Sequence, residues 1–316
     1  MIGDVLKQLF VALGRFFGFH GRRMLHIPEK HWASTPPPVP LEPGARSTAT
    51  AASIANLSDE IGLNPEYLQL IRWPCFQTDV PSQEIASDAL YKVWTTIPHG
   101  RKWSHYFQIY ESIFGSRRTE PLRILEIGIF RGASLKLWRK YFENPKTIIV
   151  GVDVVPACLQ FDEPAADIHV RIGSQADPAF LNRVVEEFGP FDIIMDDGSH
   201  HSSHIISSFN HLYAKALKDT GIYFVEDLHA NYWHPWRDSR KSFLDVCKQL
   251  LEEMHAHYRN STPEDFMTCP PSERTTSAID VPQITTMIRE IRFFDSIVAI
   301  YKTRSEYVPY YVRTPD

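Results

Sequence analysis

The chain has 316 residues, 43 % of them hydrophobic, enough for one large domain or for one domain with a smaller appendage. A formal net charge of −5 argues against a basic surface for nucleic acid. Its four cysteines, Cys75, Cys158, Cys247 and Cys269, lie far apart with no C-x-x-C pair, which argues against a zinc knuckle or a disulfide framework and fits a reducing cytoplasm.

Near the N-terminus, Val5, Leu6, Leu9, Phe10, Leu13, Phe16 and Phe17 recur at helical spacing among Lys7, Arg15, Arg22 and Arg23. This predicts an amphipathic helix within residues 1–33. Asp4 precedes the stripe, Arg15 interrupts it and no small-residue cleavage site follows, so it does not read as a signal peptide. A helix docked on the protein or on a partner is the first reading, and a helix lying on a membrane surface the second. No apolar stretch reaches the ~20 residues that a membrane span needs. Residues 34–53, "STPPPVPLEPGARSTATAAS", hold almost no core-forming side chains and read as an extended linker. Residues 54–110 read as a mainly helical auxiliary or lid region. "SDALYKVWTTIP" (87–98) and "HYFQIYESIFG" (105–115) place large apolar side chains three and four residues apart.

From Pro121 the pattern alternates between strand and helix. Strands are predicted over 123–129, 146–155, 166–173, 191–197 and 222–228. Helices are predicted over 133–142, 177–189, 204–221 (stopped by Gly221) and 239–257. Asp177 reads as the N-cap of the second of these, with Pro178 at its first position. Strands over 285–294 and 296–303 close the domain, which is taken as residues 111–316. Such alternation makes an α/β, doubly wound, mostly parallel Rossmann-like sheet with right-handed crossovers. Its ligands bind beyond the carboxyl ends of the strands.

"LEIGIFRGAS" places Glu126 and Gly128 at the end of the first strand and Gly132 at the opening of the next helix. The G-x-G-x-x-G dinucleotide fingerprint is absent, and Glu126 would repel a pyrophosphate. Asp153 ends the second strand, where a carboxylate can take both hydroxyls of a ribose. The pattern asks for a cationic nucleoside without phosphates, a description that S-adenosylmethionine meets. The bland alternative is a glycine-containing turn with a helix-capping acid.

"IIMDDGSHHSSH" (193–204) ends the fourth strand in Asp196 and Asp197, and "VED" ends the fifth in Glu226 and Asp227. If the two strands are neighbours, ~4.8 Å apart, these carboxylates converge. Unpaired, they would repel one another, and a hard divalent cation, Mg²⁺ or Mn²⁺, resolves the conflict. His200, three residues after Asp197, can face that site and take a proton. Against this stand a tight turn capped by Ser199, and a zinc site on His200 and His204 that lacks a third soft ligand. His201 and His204 are expected at the surface or behind the site. The aromatic run "HANYWHPWRDS" (229–239) suits a lid in which Tyr232 and Trp233 meet the acceptor, or a loop that packs Trp233 and Trp236 into the domain. His105 and Tyr106 are placed either against the ligand or on a packing helix.

"LEIGIFRGASLKLW", "FDIIMDDGSHHSSH", "VEDLHANYW" and "REIRFFDSIVAIYK" agree in order and spacing with the metal-dependent sugar O-methyltransferases of macrolide biosynthesis, which the chain resembles over roughly residues 95–305. The resemblance implies a class I methyltransferase sheet with an antiparallel C-terminal strand. It also implies S-adenosylmethionine and Mg²⁺ as cofactors, and methyl transfer to a hydroxyl of a sugar or glycosylated natural product; a homo-oligomer is a separate expectation for the chain. Carried onto this sequence, Asp197, Glu226 and Asp227 would be metal ligands and His200 the general base. Glu126, Gly128, Ser134, Asp153, Ser174, Gln175, Asp177 and Asp196 would hold the cofactor. The glycine loop is shorter here than in the macrolide enzymes, and the N-terminal region does not match their auxiliary domain. The rival readings are a metal-dependent methyltransferase of catechol or phenolic acceptors, an NAD-dependent oxidoreductase, and a non-catalytic binding module.

Overall fold

A computed structural model of the chain describes residues 64–68, 83–262 and 279–305. The expected N-terminal helix (1–33) and linker (34–53) lie outside the described residues. Seven strands form one sheet in the order β3-β2-β1-β4-β5-β7-β6. They are β1 (Arg123–Ile127), β2 (Ile148–Asp153), β3 (Ile168–Ile172), β4 (Phe191–Asp196), β5 (Leu217–Val225), β6 (Ile288–Phe294) and β7 (Ile297–Lys302). The first five are parallel, and the β6–β7 hairpin adds antiparallel to β5. The expected doubly wound sheet with an antiparallel C-terminal strand is therefore present. Strand order reverses between β1 and β4, and a ligand crevice opens at such a switch point.

Helices cover both faces of the sheet. Two of them, α1 (Ala89–Trp94) and α2 (Tyr106–Phe114), precede it, and α3 (Ala133–Tyr141) follows β1. The longer ones that follow are α4 (Pro178–Phe188), α5 (Ser202–Lys215) and α6 (Phe243–Met254), and short helices at Gln83–Ser87 and Ala256–Arg259 complete the α-helices of the described residues. One face carries Leu125, Val150 and Ile194 against Leu181, Phe209, Leu212 and Phe243. The other is aromatic: Tyr110 and Phe114 of α2 meet Trp138 of α3 and Phe224 of β5, with centroids 5.1–6.0 Å apart. The two pairs with Trp138 are edge-to-face, at 87° and 81°, and such pairs add about 0.5–1.5 kcal/mol each beyond area burial.

Local chemistry explains the helix starts. Asp177 caps α4 by accepting from Ala179 N at 2.9 Å, with Pro178 at the first position, as the sequence predicts. A reciprocal capping box between Ser242 and Asp245 opens α6. The helix expected over 204–221 is shorter. It ends at Lys215, and residues 217–220 belong to β5, because Leu217 pairs with Phe191 and is buried. Gly221 is thus a strand residue, and a Cβ there would lie 2.6 Å from the Leu217 side chain. Among the described residues Cys158 and Cys247 are free and buried, and no helix is long and apolar enough to cross a membrane.

Candidate active site

β4 and β5 pair with Asp196 opposite Val225, so both acidic doublets emerge at one edge of the sheet. Strand alternation then separates the first doublet. Asp196 turns toward α5 and is buried there. Its Oδ2 accepts from the Ser208 hydroxyl at 2.6 Å, and its carboxylate accepts from Gln175 Nε2 at 3.0 and 3.1 Å. Gln175 Oε1 in turn accepts from Ser199 N at 2.8 Å, so Asp196 and Gln175 brace the turn that carries His200. Burial raises the Asp196 pKa above the usual carboxyl range.

Asp197 takes the opposite side. Its Oδ2 accepts from Lys102 Nζ at 2.5 Å, and the same ammonium donates to Glu226 Oε2 at 2.6 Å. The Tyr110 hydroxyl donates to Glu226 Oε1 at 2.8 Å, and the Tyr106 hydroxyl to Asp227 Oδ1 at 2.6 Å. Asp227 and His200 both hold left-handed backbone, with φ of 56° and 58°, which turns their side chains inward. His200 Nε2 lies 3.7 Å from Asp227 Oδ2. One donor atom each of Asp197, His200 and Asp227 fall within 4.8 Å of one another, a metal-sized grouping among the described residues. Burial pushes the Glu226 carboxyl up to about 8, opposed by Lys102 and reinforced by Asp197. Asp197 is likewise raised, chiefly by burial, with Lys102 acting against it and Asp227 with it. A cavity of about 280 Å³ opens over these groups, lined also by Arg101, Trp103 and Tyr106.

The glycine turn lies alongside. Gly128 has φ of 85°, and a Cβ there would be 2.2 Å from the Asp197 carbonyl oxygen, so this turn and the end of β4 touch through backbone. Glu126 is buried. Its Oε1 accepts from Trp138 Nε1 at 3.1 Å, and burial raises the carboxyl to about 7 against the opposing Lys102 charge and hydrogen bonding to Ser134 and Trp138. Its Oε2 is buried without a hydrogen-bond partner. Asp153 Oδ2 accepts from Ile129 N (3.1 Å) and Phe130 N (3.0 Å), and Oδ1 from Val155 N (2.9 Å). The carboxylate therefore ties the glycine loop to the end of β2, and unused lone pairs remain for a ligand. Ser174 Oγ accepts from Ala176 N, and Asp177 serves as the α4 cap.

Other expected residues lie around the rim. His105 Nε2 is 3.2 Å from the Asp295 carbonyl oxygen, so it meets the β6–β7 turn rather than the acids. Trp233 is 43 % exposed and Tyr232 74 % exposed, whereas Trp236 is buried. The aromatic loop thus divides between packing and an open face. Trp103, His229 and Trp233 follow one another with centroids 5.4 and 4.6 Å apart. His204 Nδ1 is bound to Ser199 Oγ at 2.8 Å, and His201 Nδ1 lies 3.7 Å from Asp238, both away from the acids.

Lys102 and Tyr110 were not singled out from sequence. Lys102 stands 95 and 124 positions from its partners, which no local pattern can register. Tyr110 was visible as the residue one turn beyond Tyr106 on the same helix face.

Over 166 residues the chain is 39 % identical to 8-demethyl-8-(2-methoxy-alpha-L-rhamnosyl)-tetracenomycin-C 3'-O-methyltransferase of Streptomyces olivaceus, covering 48 % of this chain and 41 % of that protein. Over 170 residues it is 34 % identical to mycinamicin VI 2''-O-methyltransferase of Micromonospora griseorubida, covering 49 % and 40 %. Among solved structures, the MycE methyltransferase of the mycinamycin pathway in complex with Mg and SAH matches with a TM-score of 0.56 and 25 % identity, over 69 % of this chain and 54 % of that one. The fold is that of a class I methyltransferase. No protein-family model matches the chain. It spans about two-fifths of the length of the curated relatives it matches, at 41 % and 40 %. The resemblance seen in the four motifs thus extends to relatives that are sugar O-methyltransferases.

Proposed function

We propose that the chain is an S-adenosylmethionine- and Mg²⁺-dependent O-methyltransferase that methylates a hydroxyl of a sugar or glycosylated small molecule. The observation that carries this reading is the convergence of Asp197, His200 and Asp227, with one donor atom each within 4.8 Å of one another, at two neighbouring strand ends, and Glu226 is joined to Asp197 through Lys102. The donor set fits a hard divalent ion: Asp197, Glu226 and Asp227 offer only oxygen, and a cation, the Lys102 ammonium, already bridges two of them. The cofactor side fits as well. The buried, unpartnered Glu126 Oε2 and the Asp153 carboxylate are acceptors suited to the amine and the ribose of a cationic nucleoside. Ser134, Ser174, Gln175, Asp177 and Asp196 stand close behind that surface, Gln175 and Asp196 as the brace of the His200 turn.

Asp197, Glu226 and Asp227 would hold the metal, which when bound lowers the pKa of a hydroxyl and fixes its orientation. His200 would take the proton from the acceptor hydroxyl as the oxygen gains the methyl group, a role worth ~10²–10⁴-fold. Tyr106 keeps its proton, since burial and the neighbouring Asp227 raise its pKa far above the ordinary range, and so serves as a fixed donor that orients Asp227. Tyr110 does the same for Glu226. Trp103, His229 and Trp233 form a run of rings, open to solvent at both tryptophans, on which a sugar face can stack, and Tyr232 is exposed on the same loop as Trp233. The acid-lined cavity disfavours an acidic acceptor, and neither nucleic acid nor a nicotinamide dinucleotide suits it.

The test is incubation of the purified chain with methyl-labelled S-adenosylmethionine and a panel of rhamnosylated and phenolic acceptors, with Mg²⁺ or with EDTA. Label on a sugar oxygen that disappears in EDTA is expected. Transfer at full rate in chelator, or label on phenols alone, contradicts the reading.

A further inference from the structure

We propose that Lys102 is a built-in counter-cation of the acid cluster, which a divalent ion must displace, so that metal loading releases the Arg101–Trp103 segment from the acceptor cavity. The inference rests on the metal reading above and adds a residue and an order of events to it. Lys102 Nζ lies 2.5 Å from Asp197 Oδ2 and 2.6 Å from Glu226 Oε2, and its side chain is only 6 % exposed. A Mg²⁺ ion takes its oxygens at about 2.0–2.1 Å. An ion on those same two oxygens would stand almost where Nζ stands, so the two occupants exclude each other.

The energetics allow either occupant. Burying carboxylates without a cation is costly, and the ammonium stabilises the ion-free site. Lys102 pairs with Asp197 and Glu226 and leaves Asp227 to His200, so oxygen donors remain at the site for a doubly charged ion. Lys102 also has somewhere to go. Residues 100–103 belong to no helix or strand, and Trp103 at the end of that stretch is 51 % exposed at the cavity rim beside His229. Because Arg101, Lys102 and Trp103 all line the cavity, withdrawal of the lysine reshapes the wall that an acceptor would touch. Metal loading and acceptor access are thereby coupled through one side chain.

Two measurements on the full chain test this. Mn²⁺ titration by calorimetry compares the parent with Lys102→Met, which keeps the length and removes the charge. The variant should bind at least tenfold more tightly. Loss of a nearby positive charge alone could also tighten binding, so the second measurement reads displacement in the parent protein. Amine acylation footprinting by mass spectrometry should find Lys102 protected without metal and reactive once Mg²⁺ is added. Metal binding with Lys102 equally protected in both states overturns the inference while leaving the metal site intact. Absence of Mn²⁺ binding in both proteins overturns the inference and the metal reading together. Failure of Lys102→Met to fold would still leave the parent footprint to decide.

Discussion

Asp196 and Asp197 are neighbours in the chain and have nothing to do with one another in the fold. Asp196 faces α5, satisfied by Ser208 and Gln175 in a closed, buried network. Asp197 faces the cavity, where its partner is the Lys102 ammonium. The pleat of one strand places an acid closed in a buried network and an acid open to the cavity back to back, so two equal letters in the sequence meet unequal surroundings. The same division runs through the histidines. His200 reaches Asp227, while His201 and His204 are held by Asp238 and Ser199 behind the site.

Several substitutions would break or sharpen this comparison. The largest effect is expected at the cavity side. His200→Ala should lower kcat by two or more orders of magnitude with cofactor and metal affinity nearly intact, while His201→Ala and His204→Ala stay within a few-fold of the parent. Equal damage from His204→Ala, accompanied by metal loss, would reinstate a histidine metal site. At the cofactor side, Asp153→Ala should raise the S-adenosylhomocysteine dissociation constant at least tenfold, about 1.4 kcal/mol, as read by calorimetry. Because Asp153 also holds Ile129 N and Phe130 N, the same variant should loosen the glycine loop, visible as faster amide exchange at those positions.

On the architectural side, Asp196→Ala strips the partners from Ser208 and Gln175. Denaturant unfolding should show a loss of about 1–3 kcal/mol. A variant that keeps its stability would mean that the buried network is dispensable. The smallest effect is far from either acid. Hydrogen bonds from the Ser242 backbone N–H and hydroxyl hold the Asp245 carboxyl down at about 2. That depressed pKa stabilises the fold above the ordinary carboxyl pKa of ~4, and the contribution is lost as pH falls through 2. Asp245→Asn should cost about 1 kcal/mol at pH 7, with the difference from the parent fading in acid.

The strands and most helices were legible because β-branched runs, Asp177-Pro178 and the glycine turns act locally. The terminus of α5 was not legible. The apolar spacing of its helix runs on toward Leu217, and only pairing with Phe191 assigns that residue to β5. The acids and His200 could be read as strand-end residues, and their convergence followed from the adjacency of β4 and β5. What each doublet member faces depends on the pleat and on α5, which supplies Ser208. Lys102 was invisible, since its role exists only through partners far along the chain. The aromatic loop was half legible: its composition marks a site wall, but which rings are buried depends on packing around Trp236.

In the proposed function the acids of the cavity face, and not their neighbours, bind the metal. Mn²⁺ binding by calorimetry to Asp197→Asn and Asp196→Asn, two isosteric changes one residue apart, addresses it directly. Asp197→Asn should abolish measurable binding or weaken it by two orders of magnitude, and Asp196→Asn should bind as the parent does. Equal affinity in the two variants, or loss confined to Asp196→Asn, would contradict the assignment.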